Sequence, residues 1–198
     1  MKNEKILLQH NFEITRAHRQ ARYGHRSLVV WMTGLSGSGK STLANEVLKL
    51  LHQASIKAYV LDGDSIRSGI GRDLGFSLSD RTENIRRIAE IAKLFVDAGT
   101  VVITSLISPI EHDRQMARQI IGSEDVVEVY VECPLAVCAD RDVKGLYKKA
   151  FAGELDNFTG VGSPYEPPAH PDITVHTAEH AIHDCANSLF KHILERIA

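Results

Sequence analysis

The residues best suited to chemistry in this sequence form a glycine-rich loop. They read Gly34, Leu35, Ser36, Gly37, Ser38, Gly39, Lys40, Ser41 and Thr42. This stretch fits G-x-x-x-x-G-K-[ST], a pattern in which backbone N–H groups surround nucleotide phosphates, the lysine reaches the β- and γ-phosphates, and the following hydroxyl ligates Mg²⁺. A β-branched run precedes the loop and an amphipathic helical pattern follows it, so phosphates would meet a helix N-terminus. The sequence therefore predicts a nucleoside triphosphate site.

Two carboxylates, Asp62 and Asp64, follow the second predicted strand at residues 57–62. Carboxylates at one strand end can divide two tasks, because one can hold Mg²⁺, directly or through water, while the other accepts a proton from an attacking hydroxyl. We assign the metal role to Asp62 and the hydroxyl-facing role to Asp64. Capping of the short helix that follows is the alternative, and it is compatible with catalysis. No acidic residue ends the third predicted strand at 100–105, so this pair carries both duties.

A second group of residues suits an anionic, nucleotide-like acceptor. It comprises Arg67, Phe76, Arg81, Asn84, Arg86 and Arg87. Guanidinium groups bind phosphate or sulfate through paired hydrogen bonds, and an aromatic face can stack on a purine. Arg86 and Arg87 fit the solvated face of a helix equally well, and this is the interpretation we favour for Arg87.

Strand and helix patterns alternate along the chain and must position these groups. Strands are predicted at 27–33, 57–62, 100–105, 126–131 and 172–175. Helices are predicted after the glycine loop, at 80–98 with Asp80 and Glu83 in capping-box spacing, at 111–121 and from about 178. The alternation predicts an α/β fold with three layers, in which helices cover both faces of a mainly parallel sheet of about five strands. The candidate residues fall at the carboxyl ends of the strands, where such sheets bind ligands.

Two segments fall outside this alternation. Residues 1–26 are polar and basic, which predicts a solvated entry segment, with a nucleotide-contacting or dimer-packing arm as the alternative; residues 27–198 form the domain. Residues 142–171 hold four glycines and four prolines without apolar periodicity. An irregular basic segment beside a phosphate site predicts a lid.

Composition narrows the possible partners and location. The 198 residues carry a net charge of −2, which gives no electrostatic case for nucleic acid. No apolar run approaches the length that spans a bilayer, so we expect no membrane association. The three cysteines form no C-x-x-C pair, which favours reduced thiols and a cytoplasmic location.

Taken together, these residues resemble those of the adenylyl-sulfate kinases, which phosphorylate the 3′-hydroxyl of adenosine 5′-phosphosulfate (APS) with ATP. The resemblance extends from about Tyr23 to the final helix. It is carried by residues 31–42, 61–67, 73–77, 80–87, 107–109, 142–149, 158–160 and 163–166.

The resemblance implies a three-layer P-loop kinase fold for residues 27–198, ATP with Mg²⁺ as phosphoryl donor, and 3′-phosphoadenosine 5′-phosphosulfate (PAPS) and ADP as products of sulfate activation. It also implies a cytoplasmic homodimer, and a separate ATP sulfurylase partner is left open. Two alternatives are a kinase of another small molecule, such as a sugar or shikimate, and a non-catalytic nucleotide-binding subunit.

The same resemblance implies site residues. APS contacts are assigned to Asp64, Arg67, Phe76, Arg81, Asn84, Ile107, Ser108 and Phe158, with the two phenylalanines on either side of the adenine. Catalysis is assigned to Asp64, Lys40 and the lid residue Lys144, and Ser108 matches a position described as a phosphoserine. We favour a loop-shaping or anion-binding Ser108, because no activating base is evident near it in the sequence. Phe151 departs from the family pattern, since an arginine is usual there.

Overall fold

Five parallel strands form the centre of the fold in the computed structural model, which describes residue 10 and residues 12–198. They are β1 Val29–Thr33, β2 Ala58–Asp62, β3 Val101–Ser105, β4 Val126–Glu132 and β5 Ile173–His176. Their order across the sheet is β2-β3-β1-β4-β5, and every neighbouring pair is parallel. The predicted parallel sheet is confirmed, and each strand begins within two residues of its predicted start.

Helices connect the strands. In the described part of the chain they are α1 Arg16–Tyr23, α2 Lys40–Gln53, α3 Gly63–Ser68, α4 Leu78–Asp97, α5 Glu111–Ile121, α6 Leu135–Arg141, α7 Leu146–Phe151 and α8 Ile182–Ile197. The predicted cap of α4 is wrong by three residues, because the Ser77 hydroxyl accepts from the Asp80 backbone N–H at 3.1 Å and starts the helix earlier. Helix α8 begins later than predicted, since the Glu179 and His180 N–H groups close turns on the His176 carbonyl. Among the described residues, no helix has the length and apolar character needed to cross a membrane.

Both faces of the sheet are covered, as the sequence predicts. On one face, Val30 packs in a cluster with Leu43 of α2 and Leu189 of α8. On the other face, Trp31 packs in a cluster with Ile88 of α4. Successive residues of a strand point to opposite faces, so β1 is buried along its whole length and reads as a continuous apolar run.

The first helix, α1, lies within the segment expected to be a solvated entry. Its Arg16 guanidinium contacts both carboxylate oxygens of Asp125, at 2.5 and 2.7 Å, and donates to the Ser27 carbonyl at 2.7 Å. These paired, charge-assisted bonds attach the helix to the start of β4. The segment from 12 to 26 is therefore anchored to the domain, and residues 1–9 and 11 lie outside the described residues.

The predicted lid segment, residues 142–171, contains one short helix, α7, which the sequence analysis missed. Both carboxylate oxygens of Asp142 accept backbone N–H groups at the start of this helix, from Tyr147 and Lys148, each at 3.0 Å. The Tyr147 ring is buried, and its hydroxyl donates to the Ser36 carbonyl at 2.9 Å. One end of the segment is therefore attached to the glycine loop.

Candidate active site

The glycine loop joins β1 to α2, which confirms the predicted strand–loop–helix arrangement. At Gly34, a Cβ atom would lie 2.5 Å from the Val131 carbonyl oxygen, so a side chain would collide with β4. Gly37 has a φ of +77° and would place a Cβ 2.8 Å from the Cys138 carbonyl oxygen. Only glycine fits both positions, because the loop turns sharply while packed against neighbouring backbone.

Lys40 lies in the first turn of α2 and is buried under the loop. Its ammonium donates to the carbonyls of Gly34 at 2.9 Å and Leu35 at 2.6 Å, and it lies 3.3 Å from the Ser38 hydroxyl. Burial lowers the pKa of this ammonium from 10.5 to about 8. The site therefore holds a positive charge where the motif expects the β- and γ-phosphates.

Oxygen atoms from the start of α2 and from the ends of β2 and β3 meet next to Lys40. The Ser41 hydroxyl lies 3.2 Å from Oδ1 of Asp62 and 3.0 Å from the hydroxyl of Ser105, which ends β3. Hydroxyl and carboxylate oxygens are the hard ligands that Mg²⁺ prefers, so this group fits a metal-bound triphosphate. Asp62 is also the N-cap of α3, since its Oδ2 accepts from the Asp64 N–H at 3.1 Å.

Asp64 lies in the first turn of α3, and its carboxylate is exposed. Lys144, in the loop between α6 and α7, forms an ion pair with it. The structure thus brings together two residues eighty positions apart that sequence analysis assigned to catalysis. Both carboxylates are therefore engaged, Asp64 with Lys144 and Asp62 with the Ser41 hydroxyl and the start of α3.

Arg67 and Arg81 of the predicted acceptor site both contact the segment 75–76, and we call the surface between them the acceptor cleft. The Arg67 guanidinium lies 4.5 Å from the centre of the exposed Phe76 ring. Arg81 donates to the carbonyl of Phe76 at 3.0 Å and to that of Asn157 at 2.6 Å. Because Asn157 precedes Phe158, Arg81 links the two chain segments that carry the predicted aromatic pair.

Asn84 lies on the buried face of α4 near this cleft. Its Oδ1 atom is buried, and no described group donates a hydrogen bond to it. A buried carbonyl oxygen without a donor is costly in a folded protein, and an ordered water or a bound ligand would satisfy it. The structure is therefore consistent with a ligand donor, such as a hydroxyl or amino group, at this position.

The Ile107–Pro109 turn lies between β3 and α5. Ser108 has a φ of +36°, is buried, and its Oγ accepts from the Trp31 indole N–H at 3.3 Å. The Ile107 carbonyl accepts from the Thr33 hydroxyl at 2.8 Å and from the Gly34 N–H at 3.4 Å. These contacts favour the loop-shaping role for Ser108.

Sequence analysis missed Arg141 and Thr177, which lie beside the glycine loop. The Arg141 guanidinium donates to the Thr177 carbonyl at 2.7 Å and approaches the Gly37 carbonyl at 3.3 Å. The Thr177 hydroxyl donates to the Ser38 carbonyl at 2.7 Å. The one available signal was their position after β4 and β5, at the ligand-binding edge of the sheet.

A parallel sheet with a phosphate-binding loop after its central strand, a buried loop lysine and an exposed carboxylate paired with a second lysine defines a P-loop phosphotransferase. The family model for adenylylsulphate kinase matches residues 26–176. The chain belongs to the adenylylsulphate kinase family.

Individual relatives agree with this assignment. The chain is 48% identical to the adenylyl-sulfate kinase of Acaryochloris marina over 196 residues, which cover 99% of this chain and 95% of that protein. The APS kinase CysC of Mycobacterium tuberculosis, solved in complex with AMPPNP and APS, aligns with a TM-score of 0.81 and 45% identity, covering 84% and 96% of the two chains. The hexameric APS kinase of Thiobacillus denitrificans aligns with a TM-score of 0.62 and 28% identity, over 91% of this chain and 30% of that one.

Proposed function

We propose that this protein transfers the γ-phosphoryl group of ATP to the 3′-hydroxyl of APS, giving PAPS and ADP for sulfate assimilation. The observation that carries the proposal is the position of Asp64. It follows Asp62, which contacts Ser41 of the phosphate loop, and it lies on the same short helix as Arg67 of the acceptor cleft. A hydroxyl bound in that cleft would meet the carboxylate and the phosphate loop together.

The donor site is the phosphate loop. Its backbone N–H groups and the Lys40 ammonium would bind the phosphates, with Thr42 at the start of the helix completing the motif. Ser41 and Asp62 would hold Mg²⁺, which enters with ATP and neutralises phosphate charge when bound. The Arg141 guanidinium is exposed above the loop and offers a planar surface for the ATP base.

The acceptor site is the cleft between α3, α4 and residues 157–159. Arg67 and Arg81 supply two guanidinium groups for the phosphosulfate, and burial lowers the pKa of both, which reflects their partly desolvated positions. Phe76 and Phe158 would stack on the adenine. Asn84 offers its Oδ1 atom to a hydroxyl or amino group of the nucleotide.

The chemical step follows from these positions. Asp64 accepts the proton of the 3′-hydroxyl as that oxygen attacks the γ-phosphorus in line with the leaving oxygen. Lys40 and Lys144 stabilise the negative charge that spreads over the transferring group. Because Lys144 pairs with Asp64 in the structure, this ion pair must open before the hydroxyl can reach the carboxylate. Entry of the acceptor and movement of residues 142–171 as a lid are therefore coupled.

Phe151 changes the lid but leaves this machinery intact. Its ring is exposed at the end of α7 and lies 6.2 Å from the buried ring of Tyr147. The side chain adds an aromatic contact at a position where the family usually carries a cation. Lys144 remains available to the transferring phosphate, so the catalytic interpretation is favoured over a non-catalytic subunit.

Location and assembly are further parts of the proposal. Cys133, Cys138 and Cys185 are all free thiols, in agreement with a reducing, cytoplasmic location. We favour a homodimer as the assembly, with a separate ATP sulfurylase as an additional partner to be sought. Sedimentation of the purified protein would distinguish a dimer from a monomer or a hexamer.

The test is ADP release from Mg·ATP with and without APS, with the product examined for a 3′-phosphate. We expect APS-dependent release, and a loss of at least about 100-fold in kcat for Asp64→Asn. Asp97→Asn is the matched control, because Asp97 is also an exposed carboxylate. It lies at the end of α4 near the start of β3, whereas the proposed site lies where the strands end. Turnover with a sugar or shikimate alone would favour another kinase, and ATP binding without any transfer would favour the non-catalytic subunit.

A further inference from the structure

We propose that Tyr165 and Thr33 are positioning residues for the acceptor nucleotide, acting through the Ile107–Pro109 turn. This inference rests on the proposed function and on the APS contacts that the family resemblance implies for Ile107 and Ser108. The Tyr165 hydroxyl, in the segment after Phe158, contacts the Thr33 hydroxyl, which contacts the turn. We call this pair of contacts the hydroxyl chain. The hydroxyl chain therefore connects the adenine-stacking segment to the backbone beneath the acceptor.

The direction of the hydrogen bonds follows from proton counting. The Thr33 hydroxyl lies 2.8 Å from the Ile107 carbonyl, 3.2 Å from the Ser108 carbonyl and 3.0 Å from the Tyr165 hydroxyl. Thr33 has a single hydroxyl proton, and carbonyls can only accept, so this proton goes to the turn. Tyr165 must then be the donor to Thr33. Burial raises the pKa of the Tyr165 phenol, which keeps the donor proton in place at neutral pH.

The residue after Tyr165 holds the other end of the same turn. The backbone N–H of Glu166 donates to the Pro109 carbonyl at 2.8 Å, and its carboxylate accepts from the Glu111 N–H at 2.7 Å, at the start of α5. Residues 165 and 166 thus bind both sides of the turn. A displacement of this segment would move the turn with it.

The turn needs such support because its backbone is strained. Ser108 has a φ of +36°, a conformation that costs energy for a residue with a side chain and persists only where the surroundings hold it. Arg114, which is almost fully buried, donates to the Ser108 carbonyl at 2.9 Å from the opposite side. Arg114 does not contact the Ile107 carbonyl, which accepts from the Thr33 hydroxyl at 2.8 Å and from the Gly34 N–H at 3.4 Å.

Removing the hydroxyl chain should weaken acceptor binding selectively. Loss of one hydrogen bond of ordinary strength corresponds to a change of roughly fivefold to tenfold in an equilibrium constant. We therefore expect Tyr165→Phe, which removes one bond, to raise the KM for APS by about this factor, and Thr33→Val, which also removes the bond to the turn, to raise it at least as much. The KM for ATP and kcat should change less than about twofold in both variants. Thr33→Ser keeps the hydroxyl, so its KM for APS should equal that of the wild type.

The experiment measures both KM values, kcat and the melting temperature for these variants. Tyr130→Phe is the matched control, because the Tyr130 ring stacks on Tyr165 at 6.2 Å but the substitution leaves the bond to Thr33 intact. The Tyr165→Phe/Thr33→Val double variant should match Thr33→Val, because that substitution already removes the contact with Tyr165. If Tyr165→Phe does not fold, the comparison of Thr33→Val with Thr33→Ser tests the inference by itself.

Three results would overturn the inference. The first is an unchanged KM for APS in the variants, and the second is an equal rise in both KM values. The third is a Tyr130→Phe effect as large as that of Tyr165→Phe. A wild-type protein without APS-dependent turnover would instead refute the proposed function, and the inference with it, so the two failures are distinguishable.

Discussion

Raising the pH from about 7 to about 9.5 should weaken ATP binding by about 30-fold, because Lys40 loses its proton over this range. Burial places the pKa of the free Lys40 ammonium at about 8. About nine-tenths of the molecules then carry the charge at pH 7, and about 3% carry it at pH 9.5. Phosphates bind the charged form, so the apparent association constant falls with the charged fraction, by about 2 kcal/mol in free energy.

The stability of the free protein should change in the opposite direction. The folded pKa of about 8 lies below the ordinary value of 10.5, so the unfolded chain binds more protons between these two pH values. The contribution of Lys40 to the free energy of unfolding therefore rises as the pH increases through this window. ATP affinity should fall across the same pH window. A rise in stability together with a fall in ATP affinity is what we expect of a buried ammonium that binds phosphate.

Titration calorimetry with a non-hydrolysable ATP analogue at saturating Mg²⁺ would measure the affinity. Lys40→Arg is the control, because a guanidinium keeps its charge throughout the range and its affinity should stay flat. An equally steep fall in Lys40→Arg would assign the pH effect to other groups. A flat profile in the wild type would refute the argument that burial lowers the pKa.

Two further predictions concern the scaffold. Arg87→Ala should lower the free energy of unfolding more than Arg86→Ala does. Arg87 holds Asp73, outside its own helix, through two bonds of 2.6 and 2.8 Å, whereas Arg86 contacts only its own helix. Urea unfolding would measure both, and equal effects would contradict the distinction. Gly37→Ala should reduce ATP affinity at least tenfold, because its Cβ would lie 2.8 Å from a backbone oxygen. Gly24→Ala is the control, because Gly24 has a φ of +72° and open space around it. This substitution should cost only about 1 kcal/mol of stability and leave the ATP affinity unchanged. Equal affinity in both glycine variants would show that the collision is relieved without cost.

The parts of the site that follow local rules were predictable from the sequence. The glycine loop depends on neighbouring residues alone, and the meeting of Ser41 with Asp62 follows from the shared carboxyl edge of parallel strands. Helix α1 was missed, since none of its residues is buried and its attachment is the distant pair Arg16–Asp125. A stabilising contact across more than one hundred positions leaves no periodic pattern to read.

The residues alone indicate an anionic, nucleotide-like acceptor, but the contacts with APS were assigned through the family resemblance. Spacing indicates that arginines are near an aromatic residue, but it does not reveal that Arg81 joins the Phe76 segment to residues 157–159. The contact between Tyr165 and Thr33 joins residues 132 positions apart, and no sequence pattern predicted it. Such contacts depend on how the segment after α7 folds back over the sheet. The sequence of this segment has no periodic pattern from which its path could be predicted.

The phosphate loop is shaped before any phosphate arrives, because protein donors occupy its carbonyls. The donors to the carbonyls of residues 34 to 39 are Lys40 for Gly34 and Leu35, Tyr147 for Ser36, Arg141 for Gly37, Thr177 for Ser38 and the Leu43 N–H for Gly39. With the carbonyls engaged by these donors, the loop N–H groups are left to face an anion, except those of Gly34 and Ser38, which donate to the Ile107 and Leu35 carbonyls. Among these donors, Lys40 is the one that the motif assigns to the phosphates as well. Binding therefore exchanges two carbonyl contacts for phosphate contacts, and the charge that burial disfavours in the free loop is the charge that ATP stabilises.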